Sequence, residues 1–218
     1  ISGRTSIYAA TNGATFLPAT IPPEEDFTRA LQRLRVNMGF TELHLTGGEP
    51  TLHPKLPDLI SRAVAQGYRV CMTSNGENGA RQIPACADAG LDRVNFSIFG
   101  TTPDELAQVQ HTRFQASAKA TAKIEALHAS IQACVDHGVR ASANIVVLDH
   151  THIDRVHRLL DTYAPELSVR LLNSLDHGQT SINAIHQVLK QRGAVAEAHH
   201  LTAGASGART TYRIDEGQ

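Results

Sequence analysis

The feature that most narrows the fold is an alternation of strand-like and helix-like runs, repeating in units of roughly 30 residues. PPEEDFTRALQRLRVNMG (residues 22–39) reads as a helix, with proline near its start, acids in the first turn, basic residues later and Gly39 at the stop. TELHLT (41–46) follows as a short strand, 54–66 as a helix stopped by Gly67, and YRVCMT (68–73) as the next strand. The alternation continues with helix 78–89, strand 93–98, a long alanine-rich helix 115–137 ending at Gly138, strand 140–148, helix 152–163, strand 167–172 and helix 180–192. Residues 196–214 are expected to hold one or two edge strands around the loop GASGA. Five strands separated by single helices require crossover connections and hence a parallel sheet. A doubly wound sheet and a partial (β/α) barrel both satisfy the pattern. No composition break marks a linker, so one α/β domain is expected.

Composition removes several function classes. Lys+Arg number 20 against 21 Asp+Glu, for a net charge of −1, which is not the basic footprint of a nucleic-acid binder. Hydrophobic residues make up 41% of the chain, yet no apolar run approaches the ~20 residues that span a bilayer. The opening ISGRTSIYAATNG has no apolar stretch of the signal-peptide kind. Three cysteines, at 71, 86 and 134, are too few and too scattered for a disulfide framework, so a cytoplasmic location is expected.

In either parallel architecture ligands bind at the carboxyl ends of the strands. Those ends read LTGGEP (45–50), TSNG (73–76), SIFG (97–100), DHTH (149–152) and NSLDHG (173–178). Turn geometry alone favours such small polar residues at any one of them. LTGGEP carries the most information. Two consecutive glycines let the backbone approach a ligand with no Cβ in the way, Glu49 offers a fixed anion to a cationic group, and Pro50 stiffens the exit.

The order of motifs (a helix, a strand ending in LTGGEP, a helix, a strand ending in TSNG, then DRVNFSI) resembles the radical S-adenosylmethionine (SAM) superfamily. The resemblance extends over nearly the whole chain from PPEEDF, and ARTTYRIDEG near the end is similar to a late segment of the branch that contains GTP 3′,8-cyclase of molybdenum-cofactor biosynthesis. It implies a partial parallel (β/α) barrel whose first strand would precede residues 1–23. It also implies an enzyme of lyase or isomerase type that cleaves SAM reductively to a 5′-deoxyadenosyl radical, for rearrangement or cyclisation of a small organic substrate. The cofactors implied are SAM and a 4Fe-4S cluster, and the partner implied is an electron donor such as a flavodoxin or ferredoxin. Neither nucleic acid nor membrane is expected as a partner.

By position, the resemblance puts Gly48 on the methionine end of SAM, with Gly47, Glu49 and Pro50 beside it. Ser97 corresponds to a residue near the SAM ribose or carboxylate, and Leu175 to a hydrophobic residue against the adenine. Thr73 corresponds to a threonine facing substrate or cofactor, and Asn75 completes the TxNG turn.

The cluster of that superfamily is held by C-x3-C-x2-C, which this sequence does not contain. Cys71 falls in a strand, and Cys86 and Cys134 in helices, as small buried hydrophobes would. The resemblance therefore places the cluster ligands upstream of Ile1. No metal ligand or catalytic residue is named within the chain, which by itself is not expected to catalyse. Residues 1–23 are read as an irregular lead-in, 24–178 as the partial barrel and 179–218 as an extension.

Departures from the cyclase pattern concern the substrate. His44 stands where the pattern has Arg, Phe99 where it has Asp, and Ser142 approximately where it has Lys. A triphosphate held without those cations would be held poorly. A cyclase-like enzyme with a different substrate is favoured over GTP 3′,8-cyclase itself. Arg209 and Arg213 are candidates for an anionic substrate group, and the loop around Gly204 and Gly207 could form an anion nest.

Twelve histidines supply a reading from another class. Were the strand NIVVL to continue through Asp149-His150-Thr151-His152, His150 and His152 would share a face and could share a metal, as in a hydrolase. A non-catalytic module with the SAM-binding fold is the third reading.

Overall fold

The computed structural model describes residues 21–109, 117–201 and 208–214. Most of the expected lead-in, the question of a preceding strand, and the proposed nest at Gly204 and Gly207 lie outside the described residues.

Seven helices and seven strands follow one another among the described residues: α1 (Glu25–Met38), β1 (Glu42–Leu45), α2 (Leu56–Ala65), β2 (Arg69–Ser74), α3 (Gly79–Asp88), β3 (Leu91–Ser97), α4 (Pro103–Val109), α5 (Ser117–Asp136), β4 (Arg140–Val147), α6 (Ile153–Tyr163), β5 (Ser168–Asn173), α7 (Gly178–Gln191), β6 (Val195–Leu201) and β7 (Ala208–Arg213). The first five strands form one sheet in the order β1-β2-β3-β4-β5. A doubly wound sheet reverses its strand order at a switch point, and this one does not. Of the two architectures compatible with the alternation, the sequential order is that of the partial barrel.

Helix α4 is the element the alternation misses. Its signal is Thr102-x-x-Glu105, the spacing of a capping box: the Glu105 amide donates to the Thr102 hydroxyl at 3.2 Å, and Pro103 occupies the first helical position. The terminal segment forms an antiparallel ribbon of β6 and β7, from Val195↔Arg213 to Leu201↔Ala208. It is a separate two-stranded sheet, not an addition to the edge of the larger one.

Two compact units divide the chain: one reaches Ile98 and takes in Thr102–Ala143, and the other holds Phe99–Thr101 with Asn144 onward. In the first, β1 and β3 flank β2 in parallel register, with His44 opposite Cys71, Cys71 opposite Arg93 and Thr73 opposite Asn95. Residues in register share a face, so this one is polar. On the opposite face Val70, Met72, Val94 and Phe96 are each 0% exposed. Helices α2 and α3 pack beside them through Leu56, Ile60 and Ile83, also buried. Each such side chain contributes on the order of 1.5–3 kcal/mol. In the second unit Ile145 and Val147 are buried, as are Val156, Leu159 and Leu160 of α6 and Val188 of α7. Among the described residues no helix is long and apolar enough to cross a membrane.

Candidate functional site

Strand β1 stops at Leu45, and Thr46, Gly47 and Gly48 carry the chain out over its end, exposed. Gly47 has φ +139°, a backbone few side-chain-bearing residues adopt, and a Cβ built on it would meet nothing within 4 Å. The turn thus presents bare backbone to open space, which is what a ligand bound by carbonyl and amide groups needs.

Glu49 does not offer its charge outward, as the sequence suggests. Its Oε1 accepts from the Thr51 amide at 3.1 Å, the Thr51 hydroxyl at 2.7 Å and the Ser74 hydroxyl at 2.7 Å. Its Oε2 accepts from the Asn75 amide at 2.7 Å. Four donors converge on one carboxylate, which ties the turn after β1 to the turn after β2. Pro50 opens the single 3-10 turn Pro50–Leu52 that follows, and Thr51 within it is 0% exposed.

The second turn is equally constrained. The Asn75 side chain folds back so that Oδ1 accepts from the Glu77 amide at 2.9 Å. Ser74, 2% exposed, accepts from the Gly76 amide at 3.0 Å. Gly76 has φ +80°, and a Cβ there would lie 2.7 Å from a Leu127 methyl of α5. Beneath it Ser130 of α5, fully buried, donates to the Gly76 carbonyl at 2.6 Å and accepts from the Ala80 amide at 2.9 Å.

The polar face of the first unit is layered. Near the amino ends of the strands Glu42 pairs with Arg69 at 2.5 Å and Arg93 at 3.5 Å, and Asp92 pairs with Arg140. Toward the carboxyl ends hydrogen-bonded side chains replace the carboxylate–guanidinium pairs. His44 Nε2 lies 2.8 Å from the Thr73 hydroxyl, and the Ser142 hydroxyl donates to the Asn95 amide oxygen at 2.6 Å. Ser97 closes β3, half-buried.

In the second unit Leu175 is 91% exposed on the turn after β5. Arg213 is engaged by Glu197 at 3.0 Å, while Arg209 stands exposed opposite His200. Strand β4 ends at Val147, and residues 150–152 form a 3-10 turn, so His150 and His152 do not alternate along a strand as a shared metal site would require. The cause is Asp149, whose carboxylate accepts from the Thr151 amide at 2.9 Å and the Thr151 hydroxyl at 2.6 Å and starts the turn. These bonds hold the Asp149 carboxyl below its ordinary range. His152 Nδ1 faces Arg155 at 3.1 Å and the Leu148 amide at 3.3 Å. Burial, then the Arg155 charge, lowers its pKa.

Cys71, Cys86 and Cys134 are all buried and unpaired, as the sequence indicates. Burial pushes the Cys86 and Cys134 thiols up to about 12, far from the thiolate an iron ligand must be. Among the described residues no three His, Cys, Asp or Glu side chains converge as a metal site. The described residues therefore do not fit a 4Fe-4S cluster, whereas the bare turn at Gly47 and Gly48 does fit an amino-acid ligand bound through backbone.

The participants that sequence reading passes over are Thr51, Ser74, Asn95 and Ser130. Ser74 lies inside the quoted TSNG, but nothing in the motif distinguishes its hydroxyl. Ser130 is one small residue among many in an alanine-rich helix.

The chain matches the Radical SAM superfamily over residues 9–163. It is 29% identical over 211 residues to GTP 3′,8-cyclase 1 of Pseudomonas aeruginosa, covering 91% of this chain and 61% of that protein. It is 31% identical over 196 residues to the PqqA peptide cyclase of Streptomyces rochei, covering 86% of this chain and 50% of that one. The chain thus spans less than two thirds of the length of these relatives. Among solved structures, SuiB of Streptococcus suis bound to S-adenosylmethionine superposes with a TM-score of 0.57 at 15% identity, covering 82% of this chain and 43% of that one.

Proposed function

This chain belongs to the radical SAM superfamily, and from that membership we propose that it is the SAM-binding part of an enzyme that rearranges or cyclises a small organic substrate. The observation that carries the reading is the Gly47-Gly48 backbone, exposed at the end of β1 beside Glu49, whose carboxylate accepts four donors from its own turn and the next. Its carbonyls are assigned to the amino group of SAM. A cationic amine needs acceptors, and a backbone unobstructed by Cβ atoms brings them close. Thr73 and Ser97, at neighbouring strand ends, are proposed to face cofactor or substrate, with Asn75 shaping the turn. In the second unit Leu175 is proposed to cover an adenine ring. When bound and reduced, SAM supplies the species that abstracts a substrate hydrogen.

The substrate is proposed to present an uncharged polar group to the first unit. His44, exposed and 2.8 Å from the Thr73 hydroxyl, offers a polar hydrogen-bonding group at the strand ends, and Arg69, Arg93 and Arg140 are engaged by Glu42 and Asp92. GTP, the substrate named for several relatives, is the rival. An anionic substrate group would call on Arg209. The electron donor is proposed to be a flavodoxin or ferredoxin.

Equilibrium binding of SAM to the chain tests the reading. Saturable binding that Gly48→Val abolishes supports it. Binding that Gly48→Val leaves intact overturns the assignment. Direct binding of GTP to the chain, abolished by Arg209→Ala, would favour the rival substrate.

A further inference from the structure

Gly47 and Gly48 are exposed and have no side chains of their own, so neighbouring residues must hold their carbonyls in one place. Glu49 is covalently next to them, and from its carboxylate hydrogen bonds run inward to α5. Glu49 receives the Ser74 hydroxyl, Ser74 receives the Gly76 amide, and the Gly76 carbonyl receives the Ser130 hydroxyl of α5. Ser130 also receives the Ala80 amide, which fixes the first turn of α3 to the same point. Ser74 and Ser130 are 2% and 0% exposed, so neither can touch a ligand at the open turn. Space at Ser130 is tight: a Cβ on Gly79 would stand 2.6 Å from its Oγ. The Ser130 hydroxyl also lies 2.8 Å from the Ala126 carbonyl of its own helix, so α5 shares that proton with the Gly76 turn.

We propose that Ser74 and Ser130 are positioning residues for the cofactor's amino-acid end, acting through Glu49 on the backbone of Gly47 and Gly48. The proposal rests on the assignment of that backbone to SAM. Glu49 then acts as the hub of the relay and not as a counter-ion to the bound amine.

The test compares two ligands on the full chain: SAM, and 5′-methylthioadenosine, which keeps the nucleoside and lacks the amino acid. Ser74→Ala and Ser130→Ala are expected to weaken SAM about fivefold or more, by loss of fixed acceptors, and to leave methylthioadenosine within about twofold. Combined with Glu49→Gln, either change should add little, because all three break one network. Tyr68→Phe removes another buried hydroxyl of the same unit, donating to the Leu31 carbonyl at 2.8 Å, and should lower the melting temperature without altering the ratio of the two affinities. Ser130→Cys keeps a donor of similar size and serves if the alanine variant does not fold. Variants that melt lower yet bind SAM like the parent, or that weaken both ligands equally, overturn the proposal. A parent chain with no preference for SAM over methylthioadenosine overturns the cofactor assignment itself, and the proposal with it.

Discussion

The Ser142 hydroxyl donates to the Asn95 amide oxygen at 2.6 Å, joining β4 to β3 at a point where the two residues are 2% and 1% exposed. A buried polar group costs little when it is paired and a good deal when it is orphaned. Ser142→Ala should therefore destabilise the protein by about 1–3 kcal/mol, by leaving the Asn95 oxygen without its donor. Replacing both partners, as Ser142→Ala with Asn95→Leu, should cost less than the sum of the single changes. Urea denaturation of the four proteins measures this. Additive losses would show that the pair carries no coupling.

Two glycines with similar backbone angles should respond differently to alanine. Gly39 has φ +69° and open space around a built Cβ, so Gly39→Ala should cost about 1–2 kcal/mol from the backbone alone. Gly76 has φ +80° and a Leu127 methyl 2.7 Å away, so Gly76→Ala should cost about 1–3 kcal/mol beyond that. Denaturant midpoints of the two variants supply the comparison, and equal losses would contradict the tight contact.

His152 sets a pH dependence of known sign. Its folded pKa is lowered, by burial first and then by Arg155 and His177, against a raising contribution from Asp149. The unfolded chain then binds the proton more readily, so the contribution is fully present above the ordinary histidine pKa near 6.5 and is lost as pH falls below it. Protonation would also set a proton on Nδ1 against the Leu148 amide and the Arg155 guanidinium. Melting temperatures at several pH values should fall less steeply below neutrality for His152→Asn than for the parent. Parallel curves would show that His152 is not the group involved.

The three thiols should be silent in the folded protein. All are buried, and burial raises the pKa of each, for Cys86 and Cys134 to about 12. A thiol-specific reagent at mildly alkaline pH should label none before denaturant is added and all three afterwards. Replacing Cys86 and Cys134 by alanine should leave any iron uptake by the chain unchanged. Rapid labelling of the native protein would mean that a thiol is accessible.

Much of the fold was legible because its causes are local. Gly39, Gly67 and Gly138 stop their helices, the acids Glu25 and Asp26 sit in the first turn of α1, and the β-branched run Ile145-Val146-Val147 marks β4. Helix α4 went unread because its seven residues barely span two turns, and only its capping spacing marks it. The histidine reading failed on a local competition. It required the strand to continue through His150 and His152, but the Asp149 side chain captured the Thr151 backbone and turned the chain.

The sequence by itself determined the alternation of elements, the places where strands end, and the presence of two adjacent glycines at one of those ends. Each of these depends on residues within a turn or two of one another. Only the tertiary structure decided that the strands run in sequential order, and that Glu49 spends its charge on Thr51, Ser74 and Asn75. Only it brings Ser130, 54 residues along the chain from Gly76, beneath that turn. The physical reason is that a hydrogen bond acts over about 3 Å of space and is indifferent to separation along the chain. Which donors reach a given acceptor is therefore settled by packing.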